Sequence, residues 1–516
     1  MSSVLLITDD YCIESKMVTS DKKLIDSVWL AWWLLVSSFW LVACDSTTDT
    51  TAAVSSQPPI PRVTSPEKLD TTAWQTAAAK LNPTTLLNEP DYGLTTPTGI
   101  TPRATNITGM QLTDVQISTN AGDNSTSING TLEGGRFVLK FPAGWNGELL
   151  LYEHGYRAPA NASGATFGDS AQASQTQPTR TATTNPAVQA LFENVFSQKF
   201  AWGYSEYAKP DGYAVRSGIE STHLLKKLLE NLLPLKRTYL VGESMGGNVL
   251  LGLIEKYPND YAGAMGLCGV VAGWYEETRF ISDFRLVYDY FTKPLGAPFA
   301  LPHAGTGEAG KNDPAFTLGA VYNSLNALFG KVATDPNLKG IVRQIAQVTG
   351  ANPDLLSFLT VLLGANPDNQ DVALTTGGNG YSNQGKVYHG SDNDTTLNAG
   401  VQRLPAQPAA TAYLNNWYAP QGNFKTKLLS IHNLIDPLVP YEFEGILKVR
   451  VAAKANSQNL VQQVVDARPV NTATPFAGGP LHCFFRANQL NSGWNSLRGW
   501  VENNAKPEDG ANITNK

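Results

Sequence analysis

A mostly parallel β-sheet covered by helices on both faces is what this sequence predicts, and three observations carry the prediction. From residue 187 onward, short apolar runs alternate with helix-length amphipathic segments, the pattern of strands joined by crossover helices. One such run, in TYLVGESMGGN at 238–248, stops at a serine wedged among glycines. Between Trp274 and about Tyr418 the alternation fails, and it then resumes.

Length and composition set the outer bounds. A chain of 516 residues has room for one large domain with an insertion, or for two ordinary domains. With 42% hydrophobic and 16% charged residues it is globular rather than disordered. A net charge of −6 offers no electrostatic footprint for nucleic acid, so that partner is not expected.

The N-terminal residues 1–44 read as an export signal. Lys22 and Lys23 precede a tryptophan-rich apolar run from Val28 to Ala43, which ends Leu41-Val42-Ala43-Cys44. That ending resembles the lipobox of bacterial lipoproteins, which implies acylation of Cys44 and a membrane-tethered protein in the periplasm or on the cell surface. An uncleaved membrane anchor is the first alternative, since the run is only slightly short of the ~20 residues a spanning helix needs. Ordinary cleavage is the second. Residues 1–16 add nothing such a signal requires, which makes Met17 an alternative start. The Ser/Thr/Pro-rich stretch 45–66 then reads as a tether.

The body follows in order. MQLTDVQIST, GTLEGGRFVLKFP and ELLLYEHGY look like strands, with Gly134-Gly135 marking a hairpin. AVQALFENVFSQ at 187–198 has helical spacing, and FAWGYSEY reads as a strand. The segment 217–232 is a helix, TYLVG a buried strand, VLLGLIEKY a helix stopped by Pro258, and AGAMGLCGVV another strand. The insertion 274–418 looks helical over FISDFRLVYDYF, 316–347 and 354–364, and irregular over its Gly/Asn/Asp-rich part from 365 to 410. KLLSIHNLID, a helix near 441–455, LVQQVVDA and a helix around 484–503 complete the pattern. The expected organisation is thus a core of 67–273 and 419–516, with 274–418 as a cap over the strand ends.

Gly242-Glu243-Ser244-Met245-Gly246 matches G-x-S-x-G, with a strand before and a helix after it, the context that motif requires. A serine forced into unusual dihedrals leaves no room for side chains two residues to either side, so glycine is selected there. A hydroxyl is a weak nucleophile without a base. Of the six histidines, His482 in GGPLHCFF lies after the last strand, on a loop able to return to Ser244. His223 sits mid-helix and reads as a surface residue. His303 and His389 fall in the insertion, and His432 lies within a strand run as a structural group or as a support behind the site. The acid that orients the base is expected between them in sequence. Asp436, after a strand and before Pro437, is favoured over Asp466. Backbone N–H groups of Met245 and of Tyr156, after His154-Gly155, are the candidates for an oxyanion site. The histidines lack zinc-type spacing, so neither a metal nor another cofactor is expected.

Together HGY, GESMGG, the Asp436 loop and the His482 loop resemble the α/β-hydrolase superfamily over about residues 110–273 and 425–505. The resemblance implies a central, mainly parallel sheet and a two-step acyl-enzyme mechanism, with carboxylic esters as the commonest substrates. HGY with SMGG is also similar to bacterial cutinases and polyester hydrolases, although those enzymes are compact and lack such a cap. In a sheet of this kind the histidine loop passes the end of the strand bearing Cys268. A Cys268–Cys483 disulfide is therefore a candidate, against the alternative of two buried thiols. Trp274 and Tyr275, at the start of the insertion, are candidates to line an aromatic substrate pocket, with simple cap packing as the alternative. A serine peptidase or amidase would use the same residues, and a non-catalytic binding protein is the third reading.

Overall fold

In the computed structural model a single sheet of nine strands runs in the order β1-β2-β3-β5-β4-β6-β7-β8-β9. The structure describes residues 65–87, 109–158, 182–302, 315–466 and 480–516, without the side chains of 365–370. The export signal with Cys44, most of the tether and His303 lie outside the described residues. Among the described residues, no helix is long and apolar enough to cross a membrane.

Two short helices, α1 (Thr71–Lys80) and α2 (Pro83–Leu87), open the described chain. They were not expected from the sequence; α1 buries Trp74, which stacks on Phe137 at 5.5 Å. The strands β1 (Leu112–Thr119), β2 (Thr126–Leu132) and β3 (Gly135–Phe141) form an antiparallel meander. Glu133 and Gly134 join β2 to β3 with φ of 50° and 81°, the two-residue turn whose twist suits a hairpin. β3 pairs antiparallel with β5 (Ala201–Ser205). From there β4 (Glu148–Glu153), β6 (Arg237–Glu243), β7 (Gly263–Leu267), β8 (Lys427–Asn433) and β9 (Leu460–Val465) are all parallel. Burial tracks this division. β2 and β3 largely alternate between buried and half-buried residues, whereas β4 and β9 are buried throughout, as strands covered on both faces must be.

The covering helices sort by strand parity. Leu150 and Tyr152 of β4 face α3 (Pro186–Ser197) and the C-terminal α13 (Ala487–Asn503), which contribute Leu191, Phe192, Trp494 and Leu497. Leu149 and Leu151 face α4 (Val215–Leu232) and α5 (Met245–Lys256), with Leu224, Leu228, Leu250 and Ile254. This is the α/β-hydrolase fold. Between β7 and β8 the chain makes a helical excursion: α6 (Trp274–Thr292), α7 (Leu318–Phe329), α8 (Pro336–Thr349), α9 (Leu355–Thr376), α10 (Asp394–Gly400) and α11 (Pro408–Asn416). Phe358 packs edge-on against Phe284 and Phe329 at its centre. Among the described residues, α12 (Glu442–Ala453) lies between β8 and β9.

Two expectations are corrected here. Helix α9 runs on through Pro367 to Thr376, where composition predicts irregular chain. Its last turns bury Val372 and Ala373, and Asp371 receives Lys209 from the core at 3.3 Å. Tertiary packing therefore overrides local composition. His223 is not a surface residue: it is 1% exposed and stacks on Tyr257 at 3.4 Å. Burial pushes its imidazole down to about 3, so it is neutral at physiological pH.

Candidate active site

β6 ends at Glu243 and α5 begins at Met245, leaving Ser244 alone between them with φ 56° and ψ −118°. An L-residue is strained in that region, and the neighbours hold it there. The Ser244 N–H donates to the Leu267 carbonyl at 2.9 Å, and the Ser244 carbonyl accepts from Gly247 at 2.9 Å and Val270 at 3.1 Å. The turn is tight enough to dictate composition. A Cβ on Gly242 would lie 2.6 Å from the Gly246 carbonyl carbon, and one on Gly247 would lie 2.6 Å from the Gly269 Cα.

His482 stands over the serine. Its Nε2 is 2.8 Å from Ser244 Oγ, and its Nδ1 is 2.9 and 2.8 Å from the two Asp436 oxygens. A carboxylate can only accept, so Nδ1 carries the ring proton and Nε2 is the acceptor turned to the serine hydroxyl. Asp436 is buried, and Oδ1 also accepts the N–H groups of Leu438 and Val439, each at 2.9 Å. Burial pushes this carboxyl up. The adjacent His482, by charge and by hydrogen bond, outweighs burial together with His432 and the Leu438 N–H, and holds it below the usual carboxylate range. The structure brings Asp436 rather than Asp466 to His482.

The turn after β4 lies against Ser244: a Cβ on Gly155 would be 3.3 Å from the Ser244 Cβ. Tyr156 is next in the chain, and Met245 is the first residue of α5, directly after Ser244. His154 is no base for this site. It is buried, stacks on Tyr207 at 4.0 Å and turns Nδ1 to the Gly155 carbonyl at 2.7 Å.

Beneath this turn lies Glu153, fully buried, whose Oε2 accepts from Thr222 at 2.8 Å and Tyr207 at 3.2 Å. Burial pushes its carboxyl up to about 8 against both hydrogen bonds. A raised folded-state value favours folding fully below the unfolded value near 4.5, and that advantage fades as pH climbs through about 8. Thermal unfolding is therefore expected to show a loss of stability between pH 5 and 9. Glu153→Gln should remove much of that loss, and an unchanged pH slope in this variant would refute the assignment.

Two groupings could not be read from sequence. Glu243 accepts from Tyr152 at 2.6 Å, Asn185 at 2.6 Å and Thr183 at 3.3 Å, and Asn185 also donates to the Cys483 carbonyl at 3.3 Å. Glu243, next to Ser244, is thereby tied to the loop carrying His482. The second grouping is the cleft itself, about 540 Å³, which opens at Ser244 and His482. Thr184, Pro186 and Ala187 line one wall, and Leu481, Phe484 and Arg486 the other. Trp274 and Tyr275 do not line it. Trp274 is buried, sandwiched between Tyr156 at 6.3 Å and Tyr213 at 5.0 Å.

Cys268 and Cys483 form a disulfide with Cα atoms 5.3 Å apart. It ties the segment after β7 to the residue beside His482, whose Nε2 lies 3.3 Å from the Cys483 sulfur. These two cysteines and His482 form the one tight His/Cys group among the described residues; with the sulfurs bonded to each other it is not a thiolate metal site. A double Cys268→Ser/Cys483→Ser variant is expected to lose about 2–4 kcal/mol of stability and to turn over any substrate of this site more slowly, because His482 loses its tether. Calorimetry and steady-state kinetics check this, and an unaltered melting temperature would contradict it.

No family model matches the chain, and no curated protein does. Among solved structures, it is similar to Candida antarctica lipase A in its closed state, at 13% identity over 79% of this chain and 87% of that one, with a TM-score of 0.41. It is similar also to feruloyl esterase B from Aspergillus oryzae, at 13% identity over 78% and 89%, with a TM-score of 0.40. A rice cell wall degrading esterase from Xanthomonas oryzae aligns at 13% identity over 68% and 90%, with a TM-score of 0.33.

Proposed function

We propose that this α/β-hydrolase chain is a serine esterase that cleaves carboxylic esters through an acyl-enzyme. One observation carries the reading: the unbroken hydrogen-bond chain from Ser244 Oγ through both nitrogens of His482 to buried Asp436, 2.8 to 2.9 Å at each link. Ser244 Oγ attacks the ester carbonyl while His482 Nε2 takes its proton. The Met245 and Tyr156 N–H groups receive the negative charge that develops on the carbonyl oxygen, aided by the positive end of α5. His482 then hands the proton to the departing alkoxide, which leaves as the alcohol. Water, deprotonated by the same nitrogen, releases the acid and restores the serine. Asp436 fixes the ring's tautomer and stabilises the imidazolium in both halves.

The apolar walls of the cleft, with Arg486 and Thr184 among its lining residues, suit an ester of modest size. Aromatic esters and polyesters remain within the proposal through the sequence motifs alone. Cys44 acylation and an exported, membrane-tethered location are likewise proposed from the Leu41–Cys44 ending.

The test is hydrolysis of p-nitrophenyl acetate, butyrate and decanoate, and of the matching anilides, beside Ser244→Ala. Ester turnover that disappears in the variant is the expected result, and the chain-length profile sizes the pocket. Preferred cleavage of the anilides would turn the assignment to an amidase, and equal rates in both proteins would remove Ser244 from the mechanism.

A further inference from the structure

Beside Asp436 sits a second histidine, its Nε2 4.0 Å from Asp436 Oδ2. His432, near the end of β8, is 0% exposed. Its Nε2 is 3.0 Å from the Val439 carbonyl and its Nδ1 is 3.2 Å from Glu444 Oε1. Neither partner is a natural donor to the ring. A carbonyl oxygen has no proton, and the Glu444 carboxyl already receives Ser430 Oγ at 2.6 Å on Oε1 and Gln462 Nε2 at 2.6 Å on Oε2. Both ring nitrogens thus face acceptors, and only an imidazolium donates from both.

We propose that His432 is held as a buried imidazolium and is a positioning residue that keeps Asp436 ionised for catalysis. Two contacts transmit its influence. Its Nε2 stands 4.0 Å from Asp436 Oδ2, so its positive charge opposes protonation of that carboxyl. Its bond to the Val439 carbonyl steadies the same turn whose N–H groups, at Leu438 and Val439, grip Asp436 Oδ1. Glu444 on α12 is the compensating anion, without which a buried charge would not persist.

The charged and titratable groups facing His432 are few. Glu444 comes from α12 and Asp436 from the loop after β8, with His482 beyond it, and the Tyr441 ring lies edge-on at 6.0 Å. Ser430 of β8 and Gln462 of β9 are neutral. Burial pushes the His432 imidazole down, but the hydrogen bond and charge of Glu444, then Asp436 and the Val439 carbonyl, bring it above the ordinary histidine value. The energetic logic agrees with the hydrogen-bond pattern.

The catalytic part of this proposal rests on the serine-esterase reading, and the charge on His432 does not. Two measurements on the full chain separate them. In nitrogen-15 spectra of histidine-labelled wild-type protein at pH 7, His432 is expected to show two protonated ring nitrogens. The resonance is assigned by its loss in His432→Gln or by substituting the other five histidines in turn. Glu444→Gln should convert it to the single N–H pattern of neutral imidazole. A neutral pattern in the wild type would overturn the proposal outright.

In pH profiles of kcat/KM for an ester, His432→Gln should move the acid limb up by about one pH unit. Losing the neighbouring positive charge lets the Asp436–His482 pair take up its proton at higher pH. The plateau should change by less than about threefold. A lower rate or melting temperature with the acid limb unmoved would mean that His432 only packs. Absence of ester hydrolysis in the wild type would sink the esterase reading while leaving the spectroscopic result to decide the charge.

Discussion

Replacing Ser244 by alanine is expected to lower kcat/KM for a p-nitrophenyl ester by about 10⁴- to 10⁶-fold while the melting temperature changes little. The loss is large because nothing substitutes for the nucleophile: water must attack unaided, and His482 Nε2 has no hydroxyl at 2.8 Å to deprotonate. It is not total, since an oxyanion site and cleft still bind and polarise the ester. Asp436→Asn makes the companion case, with an expected loss of about 10⁴-fold near neutral pH. An amide at that position presents an N–H to His482 as readily as an oxygen, which permits the tautomer with Nε2 protonated and useless to the serine. Because Asp436 is buried and takes two backbone N–H groups, the variant should also be measurably less stable. Activity within tenfold of wild type in either variant would end the proposed mechanism.

Gly246→Ala is expected to be the most damaging single methyl in the protein. The added Cβ would collide with the Glu153 carbonyl, lying 2.6 Å from its carbon and 3.0 Å from the His154 carbonyl oxygen. All of these are backbone atoms, of Glu153, the last residue of β4, which pairs with Gly242 of β6, and of His154 next to it. No side chain can swing aside, so either α5 or the turn bearing Gly155 and Tyr156 must move. We expect a stability loss of about 3 kcal/mol or more and at least a hundredfold fall in kcat, as the two N–H groups proposed for the oxyanion lose their relative placement. Gly445→Ala on α12, where an added Cβ meets nothing within 4 Å, is the control and should be neutral or slightly stabilising. If Gly246→Ala behaves like it, the crowded elbow is not what shapes this site.

What could be read from the sequence was what depends on neighbours along the chain. The elbow glycines announce themselves because the steric demand around Ser244 falls on residues two positions away. The residues singled out at 244, 436 and 482 are those the structure brings into hydrogen-bond contact. The parallel strands were visible as unbroken apolar runs. What was not legible depends on contacts far apart in sequence. Whether His223 faces water or Tyr257 depends on how far the core wraps α4, and periodicity does not report that. The direction in which α6 leaves Gly273 decides that Trp274 turns inward beneath Tyr156 and away from the cleft. Glu243 occupies a variable position of its motif, so its ties to Tyr152 and Asn185 had no signal at all. For His432 the strand pattern leaves packing and support of the site equally open, because its two acceptors come from a turn and from α12.

The position of the helical excursion between β7 and β8 has a consequence for the order in which the site comes into being. Ser244 finds His482 across 238 residues of chain, and Cys268 finds Cys483 across 215. A ribosome adding roughly 5–20 residues per second therefore releases the nucleophile strand many seconds before the base. During that interval the elbow can form, yet the hydroxyl has no proton acceptor and remains chemically quiet. Closing such distant contacts is slow in folding, and the last of them completes the machinery. On the proposed mechanism, a nascent or truncated chain that stops short of residue 482 is thus a hydrolase scaffold without hydrolysis.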